Sequence, residues 1–439
     1  MGSIPAPKRV LLLTNSEHGQ ANVYLATSYA LLTLPDEDVE VHFGSFPPIQ
    51  KFVSATSEHA QRDSRTRRPI LFHTIDGLDM VSAWSRPEIV AERESLKDNV
   101  NTFQLIYAIR RMMLLLKVTL PWTGPEFVQI MASVVDIVHE VQPDIIAVDP
   151  AFSPALTALR HIGTNFIVLS PNTIKDFAMP SQPNGEALWK YPWYNPTVAN
   201  LPELEFPLST IPANIIACGP MLRPATPIKE ADAGLAAWLA RGPTLYINLG
   251  THMFFDERFA VEMATAIRLL LDHLMPKGRY PVHQPGCAVH DILGKEMEKE
   301  RVLIVEWIEA EPTAVLEAGT VVCTVHHGGS NSFLESVSAG IPQVVLPFWM
   351  DTYDFARRAE ILGIGRWGNR ETEELCKGSE LGGILIDVMV GGRSSFYARR
   401  ANELAELCRK SGGGRVVAAR RILAEIGNGV TRPPPPGGA

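Results

Sequence analysis

A glycine-rich turn with two histidines is the first place where this sequence could do chemistry. His327, Gly328 and Gly329 follow an apolar stretch, TVVCTV, and Asn331 and Ser332 then open a helical pattern. Backbone N–H groups at a helix start lack partners within the helix, and the helix dipole favours negative charge there. The glycines allow close approach of a ligand, and the polar side chains add donors. These residues predict a turn that binds a diphosphate.

Glu335 adds a second possible contact on the same helix. It lies four residues after Asn331, so the two side chains share one helix face. A carboxylate beside a phosphate would be repelled unless it accepts hydrogen bonds from neutral hydroxyls, which a ribose supplies. The alternative is a capped strand-to-helix turn without a ligand, because glycine turns are common and a lone motif is a weak signal.

The positions of these residues depend on an alternation of strands and helices. Near-continuous apolar strands separated by helices form parallel sheets that are covered on both faces. The strands predicted in the first half are RVLLLT, VEVHFG, PILFHTI, DIIAVD and NFIVLS, with helices over about 21–34, 97–142 and 153–163. The alternation resumes with TLYINLG, RVLIVEW, TVVCTV and QVVLP, and with helices over about 256–275, from Ser330 and from Asp351. The predicted fold class is therefore α/β, with two doubly wound parallel sheets.

The chain length of 439 residues favours two domains. From Met179 to Pro227 the sequence is dense in proline, which cannot propagate a helix or a central strand, so we interpret this stretch as a linker and its approach. The predicted organisation is an N-terminal domain over 1–222, a linker over 223–232, a C-terminal domain over 233–410, a helix over 411–426 that returns to the N-terminal domain, and a disordered tail over 427–439. Open parallel sheets bind ligands beyond the carboxyl ends of their strands, and site residues are expected there.

Composition and charge argue against several classes of protein. The net charge of -8 disfavours nucleic acid or an anionic membrane as the main partner. The five cysteines lie far apart, which fits neither a disulfide framework nor a zinc site and favours a reducing compartment. No apolar run approaches the roughly 20 residues of a membrane span, and the first residues lack a signal-peptide pattern. We expect a soluble, cytoplasmic protein, whose oligomeric state the sequence does not set.

Several motifs together resemble a known family. Trp307, HHGGSNSFLES, AGIP, LPFWMD and FARR occur in the order and spacing of the C-terminal signature of family 1 UDP-dependent glycosyltransferases. The stretch DTYDFARRAEILGIGRWGNR resembles the fungal branch of that family. The similarity is dense from about residue 240 to 370 and diffuse in the N-terminal half. It implies a GT-B fold, in which two Rossmann-like domains face each other across a cleft.

The resemblance also implies a role for each matching residue. Trp307 stacks on uracil, the backbone of Ile308 pairs with the base edge, and Glu335 holds the ribose hydroxyls. The residues implied at the phosphates are Gly250, Thr251, His327, Gly329, Asn331 and Ser332. Asp351 accepts hydrogen bonds from the sugar hydroxyls, and Thr352 follows it.

Two positions depart from the plant members of the family. Ala310 stands where they carry a glutamine that contacts the ribose, and Thr352 stands where they carry a glutamine that helps to select glucose. The sugar of the UDP-sugar therefore stays open, with UDP-glucose as the expectation.

His18 and Asp149 match the catalytic pair of the family. An imidazole can take a proton from a hydroxyl near neutral pH, provided that a carboxylate holds its tautomer and balances its charge. His18 follows the first predicted strand, and Asp149 ends DIIAVD. Asp149 is followed by Pro150, so it also suits a helix N-cap, and the two roles are compatible.

No metal and no cofactor is expected beside the UDP-sugar co-substrate. The DED sequence at 36–38 imitates a metal motif, but it lies at the wrong end of its strand and is interpreted as a solvated loop. The helix dipole and His327 can neutralise the leaving diphosphate instead. An apolar acceptor, aromatic or polyketide-like, is expected from the aromatic and methionine residues over 75–125, a pattern also typical of a core: Trp84, Phe103, Met112, Met113 and Trp122.

The sequence thus predicts an inverting glycosyltransferase that joins a sugar to a hydroxyl, or to an aromatic carbon, of an apolar small molecule. Two alternatives stay open. A GT-B nucleotide-sugar epimerase or hydrolase would act on UDP-glucose without an acceptor. An inactive UDP-sugar-binding module would give no product with any acceptor, and the presence of His18 and Asp149 argues against it.

Overall fold

The computed structural model describes residues 6–90, 117, 119–178, 181, 196–198, 200–206, 208, 210–250, 256–274, 288–349, 351–372 and 376–426. Two compact units make up the chain. Unit 1 comprises Met1–Asn200, Leu208–Pro224 and Gly413–Ala439, and unit 2 comprises Leu201–Pro207 and Ala225–Gly412. Residues 201–207, which the sequence analysis assigned to the N-terminal domain, therefore group with unit 2.

Unit 1 contains one sheet of seven parallel strands, in the order β3-β2-β1-β4-β5-β6-β7. The strands are β1 Lys8–Leu13, β2 Val39–Ser45, β3 Leu71–Thr74, β4 Ile145–Val148, β5 Ile167–Ser170, β6 Pro196–Val198 and β7 Ile216–Ala217. β4 and β5 are buried along their whole length, as expected for strands covered on both faces. The strand order reverses between β1 and β4, which is where such sheets form a ligand crevice.

The described helices of unit 1 lie around this sheet and include the last helix of the chain. They are α1 His18–Thr33, α2 Gln50–Asp63, α3 Met80–Trp84, α4 Gly124–Val141, α5 Ser153–His161, α6 Ile174–Ala178 and α16 Gly414–Ala424. The first part of the helical region predicted over 97–142 lies outside the described residues. Trp122 belongs to the core, and its Nε1 donates to Leu78 O at 2.7 Å. Phe103, Met112 and Met113 lie outside the described residues.

Unit 2 contains four parallel strands in the order β11-β10-β9-β8. These are β8 Thr244–Asn248, β9 Val321–His326, β10 Gln343–Val345 and β11 Gly365–Trp367. Its helices are α7 Ile228–Ala231, α8 Ala233–Leu239, α9 Glu257–Leu274, α10 Ala288–Glu298, α11 Pro312–Leu316, α12 Ser330–Ala339, α13 Asp351–Ile361, α14 Gly378–Met389 and α15 Ser394–Lys410. Helix α7 lies inside the stretch predicted as a linker.

Two predictions about local structure were wrong. RVLIVEW is not a strand, because none of the described strands pairs with it; Leu303, Ile304 and Val305 are all exposed. The proline-dense stretch is more than a linker, since β6 and β7 extend the sheet of unit 1 there. β6 begins at Pro196, and the first position of a strand tolerates a residue without an N–H.

The acidic loop at 36–38 lies at the surface, where its side chains form ion pairs. Glu37 pairs with Lys8, and Asp38 pairs with Arg68. Asp36 accepts from both terminal nitrogens of Arg420, at 3.1 and 3.2 Å, and so ties α16 to the loop before β2.

The helix predicted over 411–426 corresponds to α16, Gly414–Ala424, which follows α15 closely. Gly412 and Gly413 separate them, with φ angles of +89° and +79° that favour glycine. Helix α16 packs against α1, and Ala418, Ala419 and Ile422 are fully buried there. The last helix is therefore part of the unit that contains the N-terminal strands.

The described residues contain neither a membrane-spanning helix nor a cluster of metal ligands. None of the helices there has both the length and the apolar character of a membrane span. Within the same part of the chain, no three His, Cys, Asp or Glu side chains form a group that could hold a metal ion.

Candidate functional site

In unit 1, the loop that connects β1 to α1 carries His18 at the first position of the helix. Glu17 is the N-cap, and its carboxylate accepts from the N–H of Gln20 at 2.9 Å. Asn15 Oδ1 in turn accepts from the N–H of Glu17 at 2.7 Å. The backbone immediately before His18 is therefore fixed by two side chains.

Asp149 lies beside this loop because β1 and β4 are neighbours, with Leu13 opposite Val148. Its Oδ2 accepts from Thr14 Oγ1 at 3.0 Å and from Asn15 Nδ2 at 2.9 Å. Its Oδ1 accepts from the N–H of Ala151 at 2.8 Å. Asn15 thus links the Asp149 carboxylate to the residue that precedes His18.

Asp149 is not a helix N-cap, which corrects one of its two predicted roles. Helix α5 begins at Ser153, its N-cap is Phe152, and the proline in its first turn is Pro154 rather than Pro150. The carboxylate instead accepts hydrogen bonds from the turn after β4 and from the loop before α1.

The environment of Asp149 opposes its charge. Burial above all, with a smaller contribution from the charge of Glu17, raises the pKa of this carboxyl from 3.8 to about 7. The donors on Ala151, Thr14 and Asn15 favour the ionised form and so limit the rise.

His18 contacts an aromatic ring that the sequence analysis did not identify. Its imidazole meets Phe52 edge to face, with ring centroids 4.3 Å apart. Two cations lie near the same ring: Lys51 Nζ at 4.8 Å and the Arg223 guanidinium carbon at 5.5 Å from its centroid. Phe52 lies on α2, far from His18 along the chain, and no sequence spacing links the two. Thr14 and Asn15, by contrast, lie at a strand end, where site residues were expected.

In unit 2, the turn between β9 and α12 is shaped by glycines. Gly328 has a φ of +91°, and a Cβ at this position would lie 2.8 Å from Thr352 O. A Cβ on Gly250 would lie 2.6 Å from His327 Cε1, and a Cβ on Gly329 would lie 2.5 Å from His327 Nε2. The imidazole of His327 is therefore enclosed between two glycines.

Gly250 is held by its own strand. Its N–H donates to Asn248 Oδ1 at 3.0 Å, and Asn248 Nδ2 donates to the hydroxyl of Tyr246 at 3.0 Å. Burial, with a smaller effect from the charge of Glu335, raises the pKa of Tyr246 to about 12. Glu335 therefore lies near this chain of contacts. Thr251, the other predicted residue of this turn, lies outside the described residues.

Asn331, Ser332 and Glu335 all lie on α12, which starts at Ser330 and has Gly329 as its N-cap. No side chain caps this helix start by a hydrogen bond among the described residues. Ser332 and Glu335 line one small cavity together with Tyr246 and Asn248 of β8. The predicted phosphate and ribose residues of α12 therefore face the end of the neighbouring strand.

Trp307 and Ile308 lie in the irregular stretch before α11. The side chain of Trp307 is 62% exposed, so one of its faces is available for stacking. Ile308 packs partly buried against a small core to which Ala310 belongs. Ala310 is itself buried, so the position of the plant glutamine is occupied here by a core residue.

Asp351 begins α13 and is exposed, whereas Thr352 is 1% exposed. Thr352 Oγ1 accepts from the N–H groups of Phe348 and Trp349, at 3.2 and 3.1 Å, and donates to Trp349 O. Its hydroxyl therefore holds the turn before α13. The ring of Trp349 lies 5.4 Å from that of His327, which places this turn beside the glycine turn.

A family model described as UDP-glucoronosyl and UDP-glucosyl transferase matches residues 205–372. This segment contains the glycine turn, Trp307, Glu335 and Asp351. The chain therefore contains a UDP-glycosyltransferase domain. It is 28% identical to glycosyltransferase sdnJ of Sordaria araneosa, over 92% of this chain and 95% of that protein. It is also 30% identical to L-demethylnoviosyl transferase of Streptomyces niveus, over 34% of this chain and 38% of that protein.

Solved structures of UDP-glycosyltransferases share the fold. A UDP-glucosyltransferase from Polygonum tinctorium that is capable of glucosylating indoxyl, in complex with 3,4-dichloroaniline, superposes with a TM-score of 0.67 at 15% identity, covering 97% of this chain and 100% of that one. Phytolacca americana UGT2 with UDP-2-fluoro-glucose and pterostilbene superposes with a TM-score of 0.62 at 15% identity, covering 96% of this chain and 99% of that one. The predicted GT-B fold is confirmed.

Proposed function

We propose that this UDP-glycosyltransferase moves a sugar from UDP-glucose to a hydroxyl of an apolar small molecule in one inverting step. The observation that carries the proposal is the link from Asp149 through Asn15 to the backbone that precedes His18. It holds the base on a fixed loop at the strand-order reversal of unit 1. This is the arrangement that general-base catalysis requires.

In this reaction His18 removes the acceptor proton as the oxygen attacks the anomeric carbon. The new bond forms on the face opposite to UDP, the bond from the anomeric carbon to the phosphate oxygen breaks, and UDP leaves with the electron pair. Asp149 balances the positive charge that develops on the imidazole, provided that it is ionised. The start of α12 and His327 stabilise the negative charge on the leaving diphosphate, so a metal is not required.

The donor is proposed to bind along unit 2. Trp307 stacks on uracil with Ile308 at the base edge, and Glu335 accepts from the ribose. The remaining proposed donor contacts are Gly250, Thr251, His327, Gly329, Asn331 and Ser332 at the phosphates, and Asp351 at the sugar. Thr352 is proposed to act indirectly, since its hydroxyl holds the turn that carries Asp351.

Two of the related structures support an aromatic acceptor. They contain 3,4-dichloroaniline and pterostilbene, both aromatic small molecules, as bound ligands. We propose an acceptor of this class for unit 1, where Phe52 lies beside His18.

Replacement of the base tests the proposal. His18→Ala should lower turnover by about 10²- to 10⁴-fold, the range of general-base contributions. The dissociation constant of UDP, measured by calorimetry, should stay as in the wild type. His161→Ala, an exposed histidine of unit 1, is the matched control and should keep full turnover. Turnover retained by His18→Ala would remove this residue from the mechanism.

Product analysis separates the alternatives. UDP-glucose with a panel of phenolic acceptors should give one β-linked product per acceptor by mass and NMR. An epimerised sugar, or fast release of UDP without acceptor, would show an epimerase or hydrolase. A complete absence of product, with UDP still bound, would show an inactive binding module.

A further inference from the structure

His326 is the last residue of β9 and is buried directly beside the glycine turn. Its Nδ1 accepts from the N–H of Gly328 at 3.1 Å, and its Nε2 lies 2.7 Å from Gln343 Oε1. Because a backbone N–H can only donate, Nδ1 carries no proton. The proton is therefore on Nε2, which donates to Gln343. The two hydrogen bonds select one neutral tautomer of this imidazole.

We propose that His326 is a positioning residue for the donor diphosphate. In this tautomer its Nδ1 accepts from the N–H of Gly328, and the hydrogen bond holds the turn that would contact the diphosphate. The inference rests on the proposed function, because it assigns a further residue to the same donor site. His326 belongs to the HHGGSNSFLES motif, but the resemblance gives a role only to the next histidine, His327.

The geometry of the turn explains how one hydrogen bond can act on the diphosphate. Gly328 lies between His327 and Gly329, and its positive φ makes the chain change direction there. The imidazole of His327 packs between Gly250 and Gly329. A shift of Gly328 would therefore move both the His327 side chain and the residue that caps α12. A fixed Gly328 keeps these two groups in place before the donor binds. Binding then costs less conformational entropy, because fewer groups have to be ordered.

The charge of the site is compatible only with a neutral His326. The pKa of His326 is lowered from 6.5 to about 3, chiefly by burial and to a smaller extent by His327, while the hydrogen bond to Gln343 acts in the opposite direction. Protonation would also place an N–H on Nδ1 against the N–H of Gly328. His326 therefore keeps its acceptor through the neutral pH range, and a positive charge for the diphosphate can come only from other groups, such as His327.

Two substitutions test the two hydrogen bonds of His326 separately. In His326→Asn, the side-chain oxygen can occupy the place of Nδ1 and accept from Gly328, while the bond to Gln343 is lost. In His326→Gln, the amide nitrogen can reach the place of Nε2 and donate to Gln343, while the bond to Gly328 is lost. Each variant loses one buried hydrogen bond, so a merely structural role predicts similar effects of both.

The experiment measures the dissociation constant of UDP by calorimetry and the melting temperature of the full-length chain. We expect His326→Gln to weaken UDP binding at least tenfold and His326→Asn less than threefold, with similar melting temperatures for the two. Thr324→Val is the matched control: Thr324 lies on the same strand as His326, and the variant removes its buried hydrogen bond to Ser336 of α12. It should lower the melting temperature and bind UDP as tightly as the wild type.

Equal weakening by the Asn and Gln variants, or wild-type affinity of the Gln variant, would overturn the inference and leave the proposed function intact. A wild-type chain that does not bind UDP would contradict both. NMR of ¹⁵N-labelled histidine gives an independent readout that does not depend on folding of a variant. The His326 signal should show a proton on Nε2 only, and a proton on Nδ1 would contradict the assignment.

Discussion

Gly329 has an ordinary φ of −66°, so backbone freedom does not explain why a glycine is present. The explanation is the space occupied by His327, whose Nε2 would lie 2.5 Å from an added Cβ. At this position the side chain of a neighbour, rather than the conformation of the residue itself, requires glycine. The same holds for Gly250, where a positive φ adds a second requirement.

Gly329→Ala should therefore displace the His327 imidazole and raise the dissociation constant of UDP at least tenfold, while the fold is retained. Calorimetry with UDP measures the effect. Gly383→Ala is the control, because this glycine is exposed within α14 and an added Cβ there meets nothing within 4 Å. It should stabilise the protein by about 0.5–1 kcal/mol, the helix preference of Ala over Gly. Unchanged UDP affinity of Gly329→Ala would contradict the enclosure of His327.

The raised pKa of Asp149 predicts how stability depends on pH. The folded chain binds this proton more tightly than the unfolded chain does, so the associated stability is complete below pH 3.8 and is lost as the pH rises to about 7. A pKa shift of this size corresponds to a change in the free energy of unfolding on the order of 4 kcal/mol. Denaturant unfolding at pH 4, 5.5 and 7 should show the wild type losing stability relative to Asp149→Asn. Parallel pH curves for the two proteins would contradict the prediction.

At the scale of single elements, one buried ion pair joins the segment 201–207 to the helices of unit 2. Arg358 is 1% exposed on α13, and its Nε and Nη2 both donate to Leu204 O. Its Nε also lies 3.8 Å from Glu205 Oε1, and its guanidinium lies over the rings of Phe333 and Phe355. Phe333 belongs to α12, so the helix that starts the diphosphate site packs against this cation.

Removal of one member of a buried pair leaves the other charge uncompensated. Arg358→Met should therefore lower the free energy of unfolding by about 3–5 kcal/mol. The double variant with Glu205→Gln should recover part of the loss. Arg357→Met, one residue earlier and exposed, should change stability by less than about 0.5 kcal/mol. Chemical denaturation distinguishes these cases, and equal effects of the two Arg variants would contradict a role for the buried pair.

Local signals in the sequence were sufficient for the elements that carry the proposed donor site and His18. β4 and β10 are buried along their whole length, and β1 and β9 over four and five of their six residues, so their apolar runs are visible without a structure. His18 and the glycine turn could be found because they directly follow such runs. β6 and β7 could not be found, since three and two residues carry no pattern and their partners are distant in the chain. His326 could not be assigned either, because its role depends on the direction of the Gly328 N–H.

At the scale of the whole molecule, the last described helix, α16, completes the unit that contains His18. Ile422 on α16 is fully buried, and α16 packs against α1, whose first residue is His18. Arg415 reinforces this contact, since it donates to Leu222 O at 2.9 Å and lies over the ring of Tyr29. The stability of the loop before His18 is thus coupled to residues near the end of the chain.

Ile422→Ala should lower the free energy of unfolding by about 2–5 kcal/mol, the range for deletion of a large buried aliphatic side chain. Hydrogen exchange should locate the effect in unit 1, with faster exchange in α1 and unchanged exchange in β9 and α12. Ile361→Ala is the control, because Ile361 is 51% exposed on α13. Faster exchange in both units of the Ile422 variant would contradict the assignment of α16 to unit 1.

Because most of unit 2 is one uninterrupted run, Ala225–Gly412, it could be exchanged between relatives as a single cassette to change the sugar donor. Such a transplant would leave behind Leu201–Pro207, the short segment that shields Arg358. In a chimera joined only at residues 225 and 412, Arg358 and its surroundings would come from one parent and residues 201–207, which contact Arg358, from the other. Successful grafts should therefore carry this heptapeptide from the same parent as the cassette.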